Sequence, residues 1–447
     1  MKRLLLLLLP FFTFAQVNLP SVPQPTQFTN YSNQNFGGQN NRNQTPNSIN
    51  QILDGEQQRI QRQNQEITQK ATQQGNSRET QMREIYADIN QSKSNINYDL
   101  PSLSSKKGTE YYRGVYDKML TLNVENYSVK DVNFDIENAY SENKQDKAEF
   151  DKIIKQSGEF IMAKMKELHY DTNSNTAKNY MLFQFFSQTL QLKDTKQKHF
   201  PLKYDFNDYW GQKDWSKMFV TKLLRTGTGQ CHSMPLLYLT LAQEIGAEAF
   251  VSQSPNHSYI MFQDEKEKWY NVELTNGMFT VSSFILNNGF IRAEALQNQI
   301  YMKNFSKKEL FSQFYVDLAS GYMHKFGYDK FVEEVTEKAL ELNPKSITAN
   351  MLKANYCTMR FHYVMQQMKI NPENKKELQQ IRYSPKAVAL LKETNEQYQK
   401  IDDLGYKEMP AEAYEDWLNS LKGEKHKQDS QNVSKQFKDI IIKQHKK

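Results

Sequence analysis

The sequence from Gly227 to Gly246 reads GTGQCHSMPLLYLTLAQEIG, and it predicts a glycine-rich approach followed by a helix. Two glycines separated by one residue allow a tight backbone just before Cys231. Apolar side chains then recur every three or four residues, which predicts a helix from about Cys231 to Ile245. Pro235 falls in the first turn of that helix, where proline is tolerated. The pattern therefore places a cysteine at the N-terminus of a helix.

A cysteine in this position is a candidate nucleophile. The thiolate is the reactive species, and the positive end of a helix dipole stabilises it. The unpaired N–H groups of the same helix end can bind an oxyanion. Gln230 could also assist the oxyanion, or it could only cap the loop. A buried structural cysteine is the alternative interpretation, but it would not need Gly229 before Gln230 and Cys231.

The next segment predicts three short strands that could supply a base and an acid. The strands are expected at Glu248–Ser252, His257–Phe262 and Trp269–Leu274. The charged run between the last two predicts a hairpin turn, and this hairpin would place His257 opposite Glu273. A carboxylate there could hold the imidazole and stabilise its charged form. If the register slips, Asn276 becomes the alternative third member.

These residues resemble the transglutaminase-like branch of the papain-like cysteine enzymes. That family shows Gly-x-Cys at a helix start, then a histidine at a strand start, then Trp-x-x-Val-Asp on the neighbouring strand. The matching segments are Gly229-Gln-Cys231, Asn256-His257-Ser-Tyr and Trp269-Tyr-Asn-Val-Glu273. The resemblance implies an α+β core with an antiparallel sheet behind the nucleophile helix. It also implies that Cys231 is the nucleophile, His257 the general base and acid, and Glu273 the orienting group.

Two departures from the family pattern concern single residues. Glu273 stands where the family usually has aspartate, and His232 after the cysteine is not part of the general pattern. Cys231, His232 and His257 could be drawn together as a zinc site, but the spacing of known zinc motifs is absent. We therefore predict no metal and no cofactor.

Two tryptophans before the nucleophile are further candidates for the site. Trp210 and Trp215 could line a substrate cleft, and packing in the core is the alternative that we favour.

The C-terminal part of the chain predicts helices. Residues 311–361 resemble a degenerate tetratricopeptide pair, because Ala339 late in one helix is followed five residues later by Pro344. Further helices are expected at Ala387–Ile401 and Ala411–Leu421. A generic helical domain is the alternative. Helical repeats of this kind present concave surfaces, so a protein partner is expected there.

The N-terminus predicts export. Lys2 and Arg3 precede an apolar run to Phe14 that is too short to span a bilayer, and Ala15 is a plausible cleavage point. We therefore expect a periplasmic or secreted protein with no integral membrane segment after signal removal. The following Asn- and Gln-rich segment cannot bury enough apolar surface to offset the entropy of ordering it.

The overall composition excludes some classes of function. The net charge of +6 is modest for 447 residues, and basic and acidic side chains alternate, so no nucleic-acid surface is predicted. With only Cys231 and Cys357, no disulfide framework is implied.

The predicted organisation is a signal peptide at 1–15, a disordered segment at 16–85, a transglutaminase-like domain at 86–304, a tetratricopeptide-like domain at 305–422 and a lysine-rich tail at 423–447. The expected function is cysteine acyl transfer on a protein or peptide substrate, by hydrolysis or isopeptide exchange. The alternative is a non-catalytic scaffold or binding protein on the same fold.

Overall fold

A computed structural model describes residues 62–67, 69, 85, 96–287, 290–421 and 423–424. The predicted signal peptide at 1–15, most of the segment 16–85 and nearly all of the tail 423–447 lie outside the described residues. The structure has two compact units: one holds the described residues within Asn97–Arg360 and Glu393–Lys447, and the other includes Phe361–Lys392. The protein mixes helices with small sheets, which confirms the predicted α+β class in its general form.

Four helices lie within the described residues 96–189, before the first strand, and most begin at a side-chain cap. They are α1 (Thr109–Leu120), α2 (Val129–Tyr140), α3 (Lys147–Glu167) and α4 (Asn175–Ser187). Ser128, Asp146 and Ser174 accept backbone N–H groups at the starts of α2, α3 and α4. Helix α4 is followed by a short antiparallel pair, in which Leu190–Gln191 lies against Lys198–His199.

A short helix and a parallel strand pair lead into the nucleophile segment. Strand β3 (Lys203–Tyr204) pairs with β4 (Thr228–Gly229), after β1 (Leu190–Gln191) and β2 (Lys198–His199). Trp215–Met218 is a 3-10 turn, and α5 (Val220–Thr226) follows it. The N-terminus of α5 is capped from another helix: the Val220 and Thr221 N–H groups donate to the buried Glu137 carboxylate at 2.7 and 2.8 Å.

The nucleophile helix and the main sheet follow directly. Helix α6 (Ser233–Glu244) begins two residues later than predicted and is buried along most of its length. The antiparallel sheet has the order β5 (Phe250–Ser254), β6 (His257–Gln263), β7 (Trp269–Glu273) and β8 (Met278–Thr280). Helix α6 packs against β5 and β6, as expected for a helix in front of a sheet.

The predicted pairing of β6 with β7 is wrong by two residues. Ile260 faces Val272, so the next position along puts Tyr259, not His257, opposite Glu273. The turn is the physical reason: the ladder closes at Gln263 and Trp269 and leaves a five-residue loop. A shift of two residues keeps every side chain on its original face, because the side-chain period of a strand is two.

The remaining described elements are helical. They are α7 (Ser282–Leu286), α8 (Ala293–Gln297), α9 (Lys307–Phe326), α10 (Lys330–Leu342), α11 (Ile347–Gln367), α12 (Lys375–Leu378), a 3-10 turn (Gln379–Tyr383), α13 (Pro385–Asp403) and α14 (411–421). Helix α9 starts at a reciprocal capping box between Ser306 and Glu309. It packs against both α10 and α2. Within the described residues, no helix is long and apolar enough to cross a membrane.

Candidate active site

The backbone before Cys231 depends on a glycine that leaves no space for a side chain. A Cβ on Gly229 would lie 2.8 Å from Ser233 Oγ and 3.0 Å from a methyl group of Leu223. The same Ser233 hydroxyl accepts the Gln230 N–H at 2.9 Å. This close approach joins β4 to α6 and fixes the direction in which the chain enters the nucleophile turn.

Cys231 lies in the turn that leads into α6. The Gln230 carbonyl accepts the Met234 N–H at 3.0 Å, so the backbone is already helical around the cysteine. Cys231 is only 2% exposed. The positive end of the helix dipole therefore acts on a thiol that is screened from solvent.

Gln230 is held by the loop. Its side-chain Nε2 donates to the Asp205 carbonyl at 2.8 Å, which ties the nucleophile turn to the end of β3. The amide proton that could assist an oxyanion is thus engaged with the backbone, as the loop-capping interpretation of Gln230 expects.

His257 and Glu273 come together although they are not directly opposed in the sheet. His257 is the first residue of β6 and Glu273 the last of β7, so the two are diagonal neighbours on one face. His257 Nε2 lies 2.8 Å from Glu273 Oε2, and the other carboxylate oxygen accepts the Thr275 N–H at 2.9 Å. Both side chains are 3% exposed.

The electrostatics of this pair favour the charged form of each partner. Burial lowers the pKa of His257, but the Glu273 charge and hydrogen bonds with Cys231 and Glu273 raise it to about 10. Burial raises the pKa of Glu273, whereas the His257 charge and the Thr275 N–H bring it below its ordinary value. The pair is therefore an imidazolium and a carboxylate at neutral pH.

A tyrosine from the C-terminal part of the chain connects the histidine to the cysteine. Tyr414 Oη lies 3.3 Å from His257 Nδ1, and the Tyr414 hydroxyl donates to Cys231 Sγ at 3.7 Å. With a protonated imidazole, Nδ1–H donates to the phenol oxygen and the phenol proton points at the sulfur. The arrangement gives every one of these groups a partner and suits a thiolate at Cys231.

A second tyrosine hydroxyl lies beside the sulfur. Tyr204 is in register with Gly229 in the parallel pair. The Tyr204 hydroxyl is buried, and it makes no well-aligned hydrogen bond to the described residues. Burial, followed by the charges of Cys231 and Glu273, raises the pKa of Tyr204 well above its ordinary value, so the phenol keeps its proton. It is a potential donor to negative charge near the sulfur.

Asn276 and His232 take other positions. The Asn276 amide donates to the Leu421 carbonyl at 2.6 Å, whereas it is Glu273 that contacts His257. His232 Nε2 lies 3.2 Å from Asp317 Oδ2 on α9. Among the described residues, no group of three or more His, Cys, Asp or Glu side chains could hold a metal ion.

The two tryptophans near the site have different surroundings. Trp215 stacks on His324 with ring centroids 3.9 Å apart and is 5% exposed, as in a core residue. Trp210 packs against the Tyr414 ring at 5.2 Å. Cys231 and Cys357 are both free thiols, and both are buried.

The side chains from α14 were not anticipated as parts of the site. Tyr414, Trp417, Leu418 and Leu421 are buried and recur at helical spacing, which predicts a buried helix face. The spacing does not tell which residues the buried face covers. Tyr414 contacts Cys231, which lies 183 residues earlier in the chain.

Comparisons with known proteins do not add to this geometry: no protein-family model, no curated protein and no solved structure matches the chain.

Proposed function

We propose that this protein is a cysteine acyl-transfer enzyme of the transglutaminase-like type that acts on an amide of a protein or peptide. The observation that carries the proposal is the buried, hydrogen-bonded series from Glu273 through His257 and Tyr414 to Cys231. A histidine held by a carboxylate beside a cysteine at a helix start is the arrangement that activates a thiol for acyl transfer.

The chemistry requires three groups. The Cys231 thiolate attacks the amide carbonyl carbon, and a C–S bond forms as the carbonyl oxygen becomes an oxyanion. When the oxyanion collapses, the C–N bond breaks and the leaving nitrogen takes the proton of His257 Nδ1. Water or an amine then attacks the thioester, gives its proton to His257, and releases Cys231 as the thiolate. Glu273 holds the ring through Nε2 in every step and stabilises the imidazolium before its proton is given up and after the proton is regained.

The apolar run of residues 4–14 supports a periplasmic or secreted location in this proposal. The helices from α9 onwards would recruit a protein partner, as tetratricopeptide-like stacks do.

The second candidate is a non-catalytic scaffold on the same fold. It is favoured by one observation: Cys231 is 2% exposed and Tyr414 is hydrogen-bonded to it, so the site is covered in this conformation. A buried polar network of this kind could serve only to hold the fold together.

Thiol alkylation against pH separates the two candidates. The full chain is treated with iodoacetamide from pH 5 to 9, and peptide mass spectrometry follows Cys231 and Cys357 separately. Because the covered site lowers the rate at every pH alike, the comparison uses the pH midpoint: we expect the Cys231 rate to reach half of its maximum at a lower pH than that of an ordinary thiol, and His257→Ala to move this midpoint upwards. If the Cys231 rate rises with pH as that of an ordinary thiol does, and if His257→Ala leaves this pH dependence unchanged, the enzyme proposal is wrong.

An activity-based thiol probe tests the chemistry itself. An acyl group trapped on Cys231, and absent from Cys231→Ser, would identify the substrate class.

A further inference from the structure

Helix α14 lies on the candidate catalytic groups. Tyr414 is fully buried and contacts His257 Nδ1 and Cys231 Sγ, the two atoms between which a substrate amide would have to react. Trp417, one turn further, packs edge-on against the imidazole with ring centroids 4.7 Å apart. No acyl substrate can reach the sulfur while these two rings are in place.

Two asparagine side chains hold the backbone before and along this helix. Asn256 Nδ2 donates to the Met409 carbonyl at 2.9 Å, just before α14 begins. Asn276 Nδ2 donates to the Leu421 carbonyl at 2.6 Å, ten residues after the first residue of α14. Both asparagines lie in turns next to the catalytic strands: Asn256 directly precedes His257, and Asn276 is three residues after Glu273.

The chain just before α14 is anchored separately. Gly405 has a φ of +90°, and a Cβ there would lie 2.3 Å from the Ala295 backbone nitrogen. Asn298 Nδ2 donates to the Asp403 carbonyl at 3.1 Å. The fixed point therefore lies before residue 406. The following segment to residue 421 is attached to the site through the two asparagine amides, through the Tyr209 hydroxyl, which donates to the Glu415 carboxylate at 2.7 Å, and through the buried face of α14.

We infer that α14 is an inhibitory segment that occupies the substrate cleft, clamped by Asn256 and Asn276, and that it must leave before Cys231 can be acylated. The inference concerns regulation of the same site and rests on the proposed function. It assigns Asn276, the alternative third member in the sequence, to the clamp. It also explains how reactive groups can be assembled and yet screened from solvent.

The test compares alkylation of the two free cysteines in the full chain. The variant Asn256→Gly/Asn276→Ala removes both clamping amides, and glycine at 256 adopts the left-handed φ of +58° without strain, so the start of β6 at His257 is kept. Its matched control is Asn175→Ala, whose amide binds backbone carbonyls at the other end of the sheet. Iodoacetamide labelling of Cys231 is measured relative to that of Cys357, which is buried elsewhere and reports general opening of the fold.

We expect the double variant to label Cys231 about tenfold to a hundredfold faster than the unmodified protein, as the loss of two hydrogen bonds predicts. The rates of Cys357 and of the Asn175→Ala control should stay nearly unchanged. Trp417→Ala is the second variant, and it should accelerate Cys231 in the same selective way. An unchanged Cys231 rate in both variants, or equal acceleration of both cysteines in both, would overturn the inference.

Adding His257→Ala to the double variant separates this inference from the proposed function. If Cys231 is accelerated but no longer depends on His257, the helix covers a thiol that is not activated, and the proposed function fails alone. If the Cys231 labelling rate falls equally on loss of His257 in the unmodified protein and in the double variant, and if these two proteins label Cys231 at the same rate, the thiol is activated but the helix does not cover it. The proposed function then stands and the inhibitory role fails alone.

Discussion

Replacing Glu273 with glutamine should remove most of the pH dependence that this site gives to the stability of the fold above pH 6.5. The substitution keeps the shape of the side chain and removes its charge. Its charge is the largest of the influences that raise the pKa of His257 to about 10, against the burial that lowers it. In Glu273→Gln this charge is absent, and burial lowers the pKa of His257 nearly unopposed. We therefore expect His257 to release its proton near or below its ordinary pKa of 6.5.

The expected magnitude follows from proton linkage. In the unmodified protein, His257 has a raised pKa, so its stabilisation is fully present below pH 6.5 and is lost as the pH rises through about 10. Between these values the folded state holds one more proton than the unfolded chain. The free energy of unfolding should therefore fall by about 1.4 kcal/mol per pH unit from this group. The whole contribution is on the order of 5 kcal/mol.

The assay is urea-induced unfolding of both proteins at half-unit steps from pH 6 to 10. The free-energy difference between them should be largest near pH 6 to 6.5 and shrink by up to about 1.4 kcal/mol per unit above it. Glu334→Gln, at an exposed position, is the control and should show no such trend. A difference that stays constant from pH 6 to 10 would refute the reasoning, because Glu273 would then act by packing alone.

Three further substitutions test other parts of the site. Gly229→Ala should destabilise the fold by about 1–3 kcal/mol in urea unfolding, since its Cβ meets Ser233 Oγ at 2.8 Å, whereas Gly114→Ala has open space and should not. Glu137→Gln should cost about 1–3 kcal/mol in the same assay, because an NH2 group replaces one of the two carboxylate oxygens that accept the Val220 and Thr221 N–H groups at the start of α5. Tyr414→Phe keeps the ring and removes the hydroxyl, so the pH profile of Cys231 alkylation should shift while the rate of Cys357 stays the same; identical Cys231 profiles would contradict the hydrogen-bonded bridge.

The sequence predicts the catalytic strands well because short-range patterning determines them. Tyr259 to Phe262 form a short continuous apolar run, which favours a buried strand, and the charged residues after Gln263 indicate a turn, so β6 and β7 form nearly where predicted. Their register could not be predicted, because it depends on turn geometry: Glu267 takes a left-handed conformation and Asp264 N–H bonds the Lys268 carbonyl. Those contacts set a five-residue loop where no Asn-Gly or Asp-Gly signal exists.

The parts of the site that could not be predicted are those that come from distant segments. Tyr204 reaches the cysteine through a two-residue parallel pair, which is too short to leave a pattern. Tyr414 belongs to a helix whose amphipathic face is visible in the sequence but whose docking surface is not. Long-range packing of this kind depends on which faces remain uncovered after the local elements have formed.

The candidate catalytic groups and the helix that covers them are held by the same two turns, so neither is expected to change alone. Asn256 has a φ of +58°, a left-handed conformation that asparagine tolerates better than most residues, and it sets where β6 begins and therefore where His257 lies. The same side chain holds the backbone entering α14. At the end of β7, Thr275 N–H fixes the Glu273 carboxylate while the adjacent Asn276 holds α14 at the Leu421 carbonyl. A movement that lifts α14 must break bonds to both turns, so release of the helix is expected to alter the orientation of His257 as well as its access to solvent.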